Sequence, residues 1–224
     1  MTTTSERYDA TLAEVRGPKV LDVGVAGQAD FMGDATVRDG LADDPGWMHG
    51  VLRKAGFDTY GVDIDGQTIK RLRALGIDNV FEQSAEELER PEGPFDTIVA
   101  GEIIEHLANP GMFLVRARQH LAPGGRIVVT TPNPFSLLYM LRSMMKWPKT
   151  SPNPEHVAWF CPGTMALLAE RCGLVVVKMR PIDDHEQEFG TRLYRTFVRI
   201  LRTLGRVLPD RLRGNSILYV LVPE

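Results

Sequence analysis

Three side chains able to act as general bases or metal ligands lie close together in the sequence. Glu102, Glu105 and His106 follow directly on the apolar run 95–101. Their i, i+3, i+4 spacing places them on one face of a helical turn, where their ligand atoms can converge on one point. Two carboxylates suit Mg²⁺, and the added imidazole makes Mn²⁺, Fe²⁺ or Zn²⁺ an alternative. This segment therefore predicts a divalent metal site or a general base.

A fourth candidate ligand lies farther along the chain. His156 follows the proline-rich segment 148–154 and stands beside Glu155, which either orients the imidazole or is a solvated surface charge. A metal or a base at such a site could help to deprotonate a hydroxyl group. A simpler interpretation stays open, in which the two earlier glutamates are acids favoured at a helix N-terminus and His106 is a packing residue or a lone base.

The surrounding pattern predicts the elements that would position these side chains. β-Branched and apolar runs alternate with amphipathic helical segments, which is typical of a doubly wound α/β fold with a mostly parallel, seven-stranded, Rossmann-like sheet and a small helical cap. In such folds ligands bind at the carboxyl ends of the strands. Strands are predicted over 19–24, 59–63, 79–82, 95–101, 126–131, 174–179 and 217–222, with a tight turn at 123–125.

The chain divides into a short N-terminal helical extension, 1–16, and one domain, 17–224, which carries an insertion at 29–46 and a cap at 132–160. A hydrophobic content of 43%, a charged content of 25% and a net charge of −3 are ordinary for a soluble globular protein and favour no polyanionic partner. No apolar window is long enough to span a membrane. We therefore expect a cytoplasmic protein, and no obligate protein partner is readable.

A second group of residues predicts a nucleotide-type site. Asp22-Val23-Gly24 closes the first strand, and Asp63 ends the second. A glycine turn lets backbone approach a ligand, while an acid at that position accepts hydrogen bonds from ribose hydroxyls. Taken alone, such a turn is more often another kind of α/β loop. His49 could face the same cleft, although a lone histidine is more often structural.

The order of the motifs is more specific than any one of them. Over roughly residues 20–174 the sequence resembles class I S-adenosylmethionine (SAM)-dependent methyltransferases, especially the ubiquinone-biosynthesis O-methyltransferases and the small-RNA 3′-end 2′-O-methyltransferases. The motifs that carry the resemblance are Asp22-Val23-Gly24, Gly61-Val62-Asp63, Phe95-Asp96-Thr97-Ile98-Val99, Glu105-His106-Leu107, Leu121-Ala122-Pro123-Gly124-Gly125 and Thr131-Pro132-Asn133.

The resemblance implies SAM as cofactor. The turn 22–28 would hold its methionine part, the end of the second strand its ribose, the segment 84–85 its adenine edge, and the end of the fourth strand would lie near the sulfonium. Two family glycines are replaced here by Ala26 and Gln28, and an acid by Ser84, so that Gln28 would crowd the cofactor unless Gly27 takes over in a shifted turn. The implied cofactor set is Asp22, Gly24, Ala26, Gly27, Asp63, Ile64, Ser84, Ala85 and Gly101.

The same resemblance implies Glu102, Glu105, His106 and His156 as ligands of Mg²⁺ or Mn²⁺, with Glu102, His106 and His156 also as catalytic residues. Three functions stay open. The first is O-methylation of a small-molecule or lipid-like hydroxyl, the second is 2′-O-methylation of an RNA 3′ end, and the third is a non-catalytic SAM-binding or membrane-associated scaffold.

Two further segments bear on partners. The apolar stretch 135–147 is either a lid for a hydrophobic acceptor, a helix placed in a membrane interface, or a packed cap. A predicted helix over 191–204 carries an arginine stripe that suits an anionic membrane or a phosphate-bearing partner, and equally suits a solvated face. The stripe consists of Arg192, Arg195, Arg199, Arg202 and Arg206.

Overall fold

The computed structural model describes residues 6–27, 47–89, 92–145, 153–182, 209 and 212–224. The helices are α1 (Glu6–Glu14), α2 (Met48–Lys54), α3 (Gly66–Ala74), α4 (Pro110–Gln119), α5 (Leu137–Met145) and α6 (Pro162–Arg171), with short 3₁₀ turns at Ala85–Glu87 and Ile104–His106. The strands are β1 (Lys19–Val23), β2 (Asp58–Asp63), β3 (Val80–Glu82), β4 (Phe95–Gly101), β5 (Leu121–Pro132), β6 (Leu174–Ile182) and β7 (Ser216–Pro223).

The strands form one seven-stranded sheet in the order β3-β2-β1-β4-β5-β7-β6. The first five are parallel, and β7 runs antiparallel between β5 and β6. Strand β4 is apolar and buried along most of its length because helices cover both of its faces. The predicted doubly wound, mostly parallel sheet is confirmed.

The core lies on both faces of this sheet. On one face Phe113 and Leu114 of α4 and Met165 of α6 pack in a single cluster with the central strands. On the other face Leu52 of α2 packs against β1 and β4, and Ala10 of α1 packs against β5 and β7. Burial of both faces fixes the direction in which the strands deliver their carboxyl ends.

Local sequence sets several helix boundaries. The Asp65 carboxylate accepts hydrogen bonds from the backbone N–H groups of Gln67 (2.9 Å) and Thr68 (3.3 Å), which fixes the start of α3. Asn109 caps α4 in the same way through the Met112 N–H at 3.1 Å. Such caps satisfy N–H groups that have no partner within the helix.

The structure differs from the sequence-based expectation at β5. This strand begins at Leu121, whereas a tight turn is predicted at 123–125. The register with β4 shifts between the pairs Phe95–Leu121 and Thr97–Arg126, and Gly124 has a φ of 77°. The difference is therefore in where the strand begins: β5 advances five residues between these pairs while β4 advances two, so the predicted turn lies within the span of β5 as a bulge.

Several predicted features lie outside the described residues: the insertion at 29–46, the arginine helix at 191–204, Gln28, and the middle of the cap at 146–152. Among the helices that the structure describes, none is long and apolar enough to cross a bilayer.

Candidate active site

The carboxyl ends of β1, β2 and β4 meet at one edge of the sheet. Val23 pairs with Val62 on one side and with Ala100 on the other. The segments that follow these three strands therefore start side by side, and they carry both groups of residues singled out in the sequence.

The turn after β1 depends on Gly24. Its φ is 86°, a left-handed conformation that favours glycine, and a Cβ there would lie 2.2 Å from Cδ1 of Ile103. The Gly24 N–H donates to the Val62 carbonyl at 2.9 Å, and the Gly27 N–H donates back to the Gly24 carbonyl at 3.3 Å. The turn closes with Ala26 buried inside it, so this departure from the family pattern is accommodated.

Asp63 ties the end of β2 to this turn. Its Oδ2 accepts a hydrogen bond from the Ala26 N–H at 2.8 Å, and its Oδ1 accepts one from the Asp65 N–H at 2.9 Å. A carboxylate can accept about four hydrogen bonds, so both oxygens retain capacity for ribose hydroxyls. The neighbouring Ile64 is 76% exposed, which leaves an apolar surface at the same edge.

The remaining cofactor candidates border the same edge. The loop after β3 is held beside β2 because the Gln83 N–H donates to the Asp63 carbonyl at 2.7 Å. In that loop the Ser84 hydroxyl accepts a hydrogen bond from the Glu86 N–H at 3.2 Å and caps the turn containing Ala85. Gly101 is exposed at the end of β4, so backbone there is open to a ligand.

Asp22 occupies a different position from the other cofactor candidates. Its carboxylate is 4% exposed and lies on the α2 side of β1, with Oδ2 3.4 Å from Nδ1 of His49. Burial raises the pKa of Asp22, and the nearby charge of Asp63 adds to the rise, while His49 opposes it. The structure therefore places the Asp22 side chain in the interior beside His49, and a direct contact of Asp22 with the cofactor stays a prediction.

The second group of residues gathers after β4. The Glu105 carbonyl accepts hydrogen bonds from the N–H groups of Val157 (2.9 Å) and Ala158 (3.1 Å). These bonds bring the loop that carries His156 onto the 3₁₀ turn that carries His106, and the two imidazole centroids lie 4.7 Å apart. Ligand atoms of Glu105, His106 and His156 all lie within 4.8 Å of one another.

Glu102 stands beside this convergent group. Its φ of 54° is unusual for a residue other than glycine, and its N–H donates to the Thr130 carbonyl at 2.9 Å. Its charge acts on Glu105. Three of the four predicted ligands thus converge in the structure, and direct ligation by Glu102 stays a prediction.

Burial prepares the three converging groups to bind a cation. Glu105 is 1% exposed; its Oε2 accepts a hydrogen bond from the Thr131 hydroxyl at 2.9 Å, and its Oε1 has no hydrogen-bond partner among the described residues. Burial, and then the charge of Glu102, raise the pKa of Glu105 well above the usual carboxyl range. A cation would supply the missing partner and compensate the buried charge.

The histidines fit the same role. Burial lowers the pKa of both His106 and His156, and it outweighs the opposing charge of Glu155. Both imidazoles are therefore neutral near pH 7, which is the form that binds metals. Glu155 lies 4.0 Å from Nδ1 of His106 and its side chain is 78% exposed, so it is a solvated neighbour of the site.

Two contributions to the site have only a weak signal in the sequence. Thr131 belongs to a recognisable motif, yet its hydrogen bond to Glu105 is visible only in three dimensions. Trp159 lies 6.1 Å from the His156 ring and 5.2 Å from the Tyr139 ring of α5, measured between centroids. The cap helix is thereby connected to the histidine loop through an aromatic chain.

Known proteins resemble this chain in sequence. A family model described as a methyltransferase domain matches residues 11–179. The ubiquinone biosynthesis O-methyltransferase of Caulobacter sp. (strain K31) is 31% identical over 123 residues, which are 52% of this chain and 42% of that protein. The mitochondrial ubiquinone biosynthesis O-methyltransferase of Rattus norvegicus is 28% identical over 141 residues, which cover 56% of this chain and 34% of the relative. The chain thus spans less than half of the length of these relatives.

Solved structures share the fold. A SAM-dependent methyltransferase from Archaeoglobus fulgidus superposes with a TM-score of 0.62 at 19% identity, covering 96% of this chain and 90% of that one. The magnesium protoporphyrin IX methyltransferase of Synechocystis PCC 6803, solved with bound SAH, superposes with a TM-score of 0.58 at 14% identity, covering 97% and 82%.

Proposed function

Because this chain belongs to the class I SAM-dependent methyltransferases, we propose that it transfers the methyl group of SAM to a hydroxyl of a small-molecule or lipid-like acceptor, with assistance from a divalent metal. The observation that carries the proposal is the convergence of Glu105, His106 and His156 beside the turn held by Gly24 and Asp63. The carboxylate and two imidazoles suit a cation, the turn and Asp63 suit a nucleoside, and both sets lie at the same edge of the sheet.

Separate sets of residues would bind the cofactor and activate the acceptor. The turn 24–27 and Asp63 would hold the cofactor, with Ile64, Ser84, Ala85 and Gly101 around it. When bound, SAM supplies an electrophilic methyl group. Methyl transfer to oxygen requires the acceptor hydroxyl to lose its proton and to approach in line with the bond that breaks.

The three ligands would meet the first of these requirements. When bound, a divalent ion lowers the pKa of a coordinated hydroxyl. One carboxylate and two imidazoles suit Mn²⁺, Fe²⁺ or Zn²⁺ better than Mg²⁺, which prefers oxygen ligands. Glu102, next to the convergent group, would complete the set or accept the proton.

The exposed side chains of the cap support an apolar acceptor. Phe135, Met140 and Met144 are large, apolar and exposed on and just before α5. Such a surface favours a lipid-like or aromatic acceptor, and it also favours peripheral contact with a membrane surface.

RNA 3′-end 2′-O-methylation is the second candidate, because the pairing of His156 with the Glu102–Glu105–His106 segment is the feature by which the sequence resembles those enzymes. Tight, salt-sensitive RNA binding would favour it. A non-catalytic SAM-binding scaffold is the third, and it would bind SAM without turnover.

Labelled methyl transfer separates the three candidates. The protein is incubated with methyl-labelled SAM and with RNA, lipid and small-molecule fractions, in Mn²⁺ or in chelator. We expect label in the lipid or small-molecule fraction, with Mn²⁺ required. Label confined to RNA would establish the second candidate, and SAM binding without label in any fraction would establish the third.

A further inference from the structure

The turn after β1 is supported from below by two side chains of the α2 segment. Trp47 is buried and its Nε1–H donates to the Val25 carbonyl at 2.8 Å. His49 is completely buried, and its Nδ1 lies 3.4 Å from Oδ2 of Asp22. The Trp47 and His49 rings lie 5.3 Å apart. Trp47 and His49 thus contact Val25 and Asp22, which lie on either side of Gly24 in the sequence.

Asp22 depends on His49 for compensation of its charge. Its register neighbours on β2 and β4 are Gly61 and Val99, which offer no side-chain donor. The charged groups that act on it are His49 from α2, which stabilises the carboxylate, and Asp63 from β2, which opposes it. An ionised carboxylate in this position needs a donor, because burial strips it of water.

The His49 ring fits closely between the strands and the helix. A Cβ on Gly61 would lie 3.1 Å from Cε1 of His49, so the absence of a side chain at Gly61 leaves room for the imidazole. His49 also lines a cleft of about 290 Å³ near the amino end of β2, together with the charged groups Arg53, Asp58 and Asp78. The ring therefore has a fixed position, with Nδ1 directed toward β1.

We propose that His49 is a positioning residue for the cofactor turn. Its Nδ1 faces the Asp22 carboxylate at 3.4 Å and compensates the charge there, two residues before Gly24, so that the turn is already shaped for SAM before SAM binds. This inference rests on the proposed SAM site. It gives a role to a histidine that belongs to neither the metal group nor the cofactor set.

Four variants and one ligand test the proposal. The dissociation constant of SAM is measured by calorimetry for the wild type, His49→Asn, His49→Gln and His49→Leu, with His120→Leu as a control. The Asn amide nitrogen can occupy the place of Nδ1, whereas the Gln amide nitrogen reaches the place of Nε2. We expect His49→Leu and His49→Gln to weaken SAM binding about 10- to 100-fold, as loss of the polar partner of a buried charged group does.

His49→Asn and His120→Leu should bind SAM as the wild type does. His120 contacts the Arg116 carbonyl at the end of α4 and lies on a different element from the turn. Far-UV circular dichroism and the melting temperature check folding. If the Leu variant fails to fold, the Asn and Gln variants decide the question, since both keep a polar side chain.

The pH profile adds a readout that packing alone would not move. Without the imidazole the pKa of Asp22 rises further. In a titration toward low pH, His49→Leu should therefore begin to lose SAM affinity at a higher pH than the wild type does. The proposal is overturned if His49→Leu binds SAM normally, or if His49→Asn loses as much affinity as His49→Gln. Absence of SAM binding by the wild type would instead refute the proposed function itself.

Discussion

Glu105, a proposed metal ligand, lowers the stability of the metal-free fold at neutral pH. Because burial raises its pKa above the value in an unfolded chain, the folded state keeps a proton that the unfolded state has already lost. Its contribution to stability is therefore present below the usual carboxyl pKa and is lost as the pH rises toward the raised value. A bound cation would reverse this effect by compensating the charge.

Replacement of Glu105 by Gln should stabilise the metal-free protein. The neutral amide removes the buried charge, so the melting temperature at neutral pH should rise by about 2–4 °C, corresponding to roughly 1 kcal/mol. Thermal unfolding in chelator from about pH 5 to about pH 8 measures this. The wild type should lose stability across that range relative to the variant, while the exposed Glu155→Gln control should follow the wild type. A wild-type curve parallel to that of Glu105→Gln would show that the carboxyl does not titrate as described.

His156 is the residue whose position could least be assumed from the sequence, since fifty residues separate it from His106. Its replacement by Ala should weaken Mn²⁺ binding by tenfold or more, because even partners outside a coordination shell often contribute about 10–100-fold. Calorimetric titration with Mn²⁺ measures the effect, with His120→Ala as the matched control. Equal affinities in the two variants would remove His156 from the metal site.

At the scale of elements, the turn after β1 combines two constraints on Gly24. One is the positive φ, and the other is the contact with Ile103. Gly56, at the end of α2, shares the first constraint with a φ of 89° but has no atom within 4 Å of an added Cβ. The two glycines therefore allow strain and steric overlap to be separated.

Gly56→Ala should lower the free energy of unfolding by about 1–2 kcal/mol through backbone strain alone, and it should leave SAM affinity unchanged. Gly24→Ala should cost more and also abolish SAM binding, because the turn must shift away from Ile103. Chemical denaturation and SAM calorimetry on both variants check this. Equal destabilisation, with SAM binding retained in Gly24→Ala, would argue against a tightly packed turn.

The cap helix α5 is connected to His156 through Trp159. Trp159→Ala removes the ring between His156 and Tyr139, and aromatic pairs are worth about 0.5–1.5 kcal/mol beyond the area they bury. Amide hydrogen exchange in α5 should therefore accelerate about 2- to 10-fold. The exposed Leu167→Ala on α6 serves as the control. Unchanged exchange in α5 would mean that the cap is held by other contacts.

Sequence patterns predict the elements well and their mutual contacts poorly. The apolar run 95–101 and the glycines after α2 and α3 predict strand and helix boundaries because these signals are local. The Asp22–His49 pair is not predictable in this way, since it joins two elements across the 28–46 segment. The glycines 124–125 predict a turn, and in the structure they lie where β5 bulges away from its pairing with β4, inside a longer strand than the sequence indicates.

At the scale of the whole molecule, the sheet order explains why two distant groups of residues form one site. β1, β2 and β4 are neighbours although β4 is the fourth strand in sequence, so the turn at Gly24 and the ligands after Gly101 start at the same edge. The family resemblance predicts the cofactor and metal groups, and the structure places His156 beside Glu105 and His106. The sequence does not identify the acceptor, because the cap and the insertion at 29–46 are the parts least like the family pattern.

The central claim is that methyl transfer needs the metal while SAM binding does not. The most direct test measures label transfer from methyl-labelled SAM to the responsive acceptor fraction during titration with Mn²⁺, alongside SAM calorimetry in chelator. We predict turnover that rises with Mn²⁺, is lost in chelator and in His156→Ala, and is accompanied by unchanged SAM affinity. Full turnover in excess chelator, or in His156→Ala, would contradict the account.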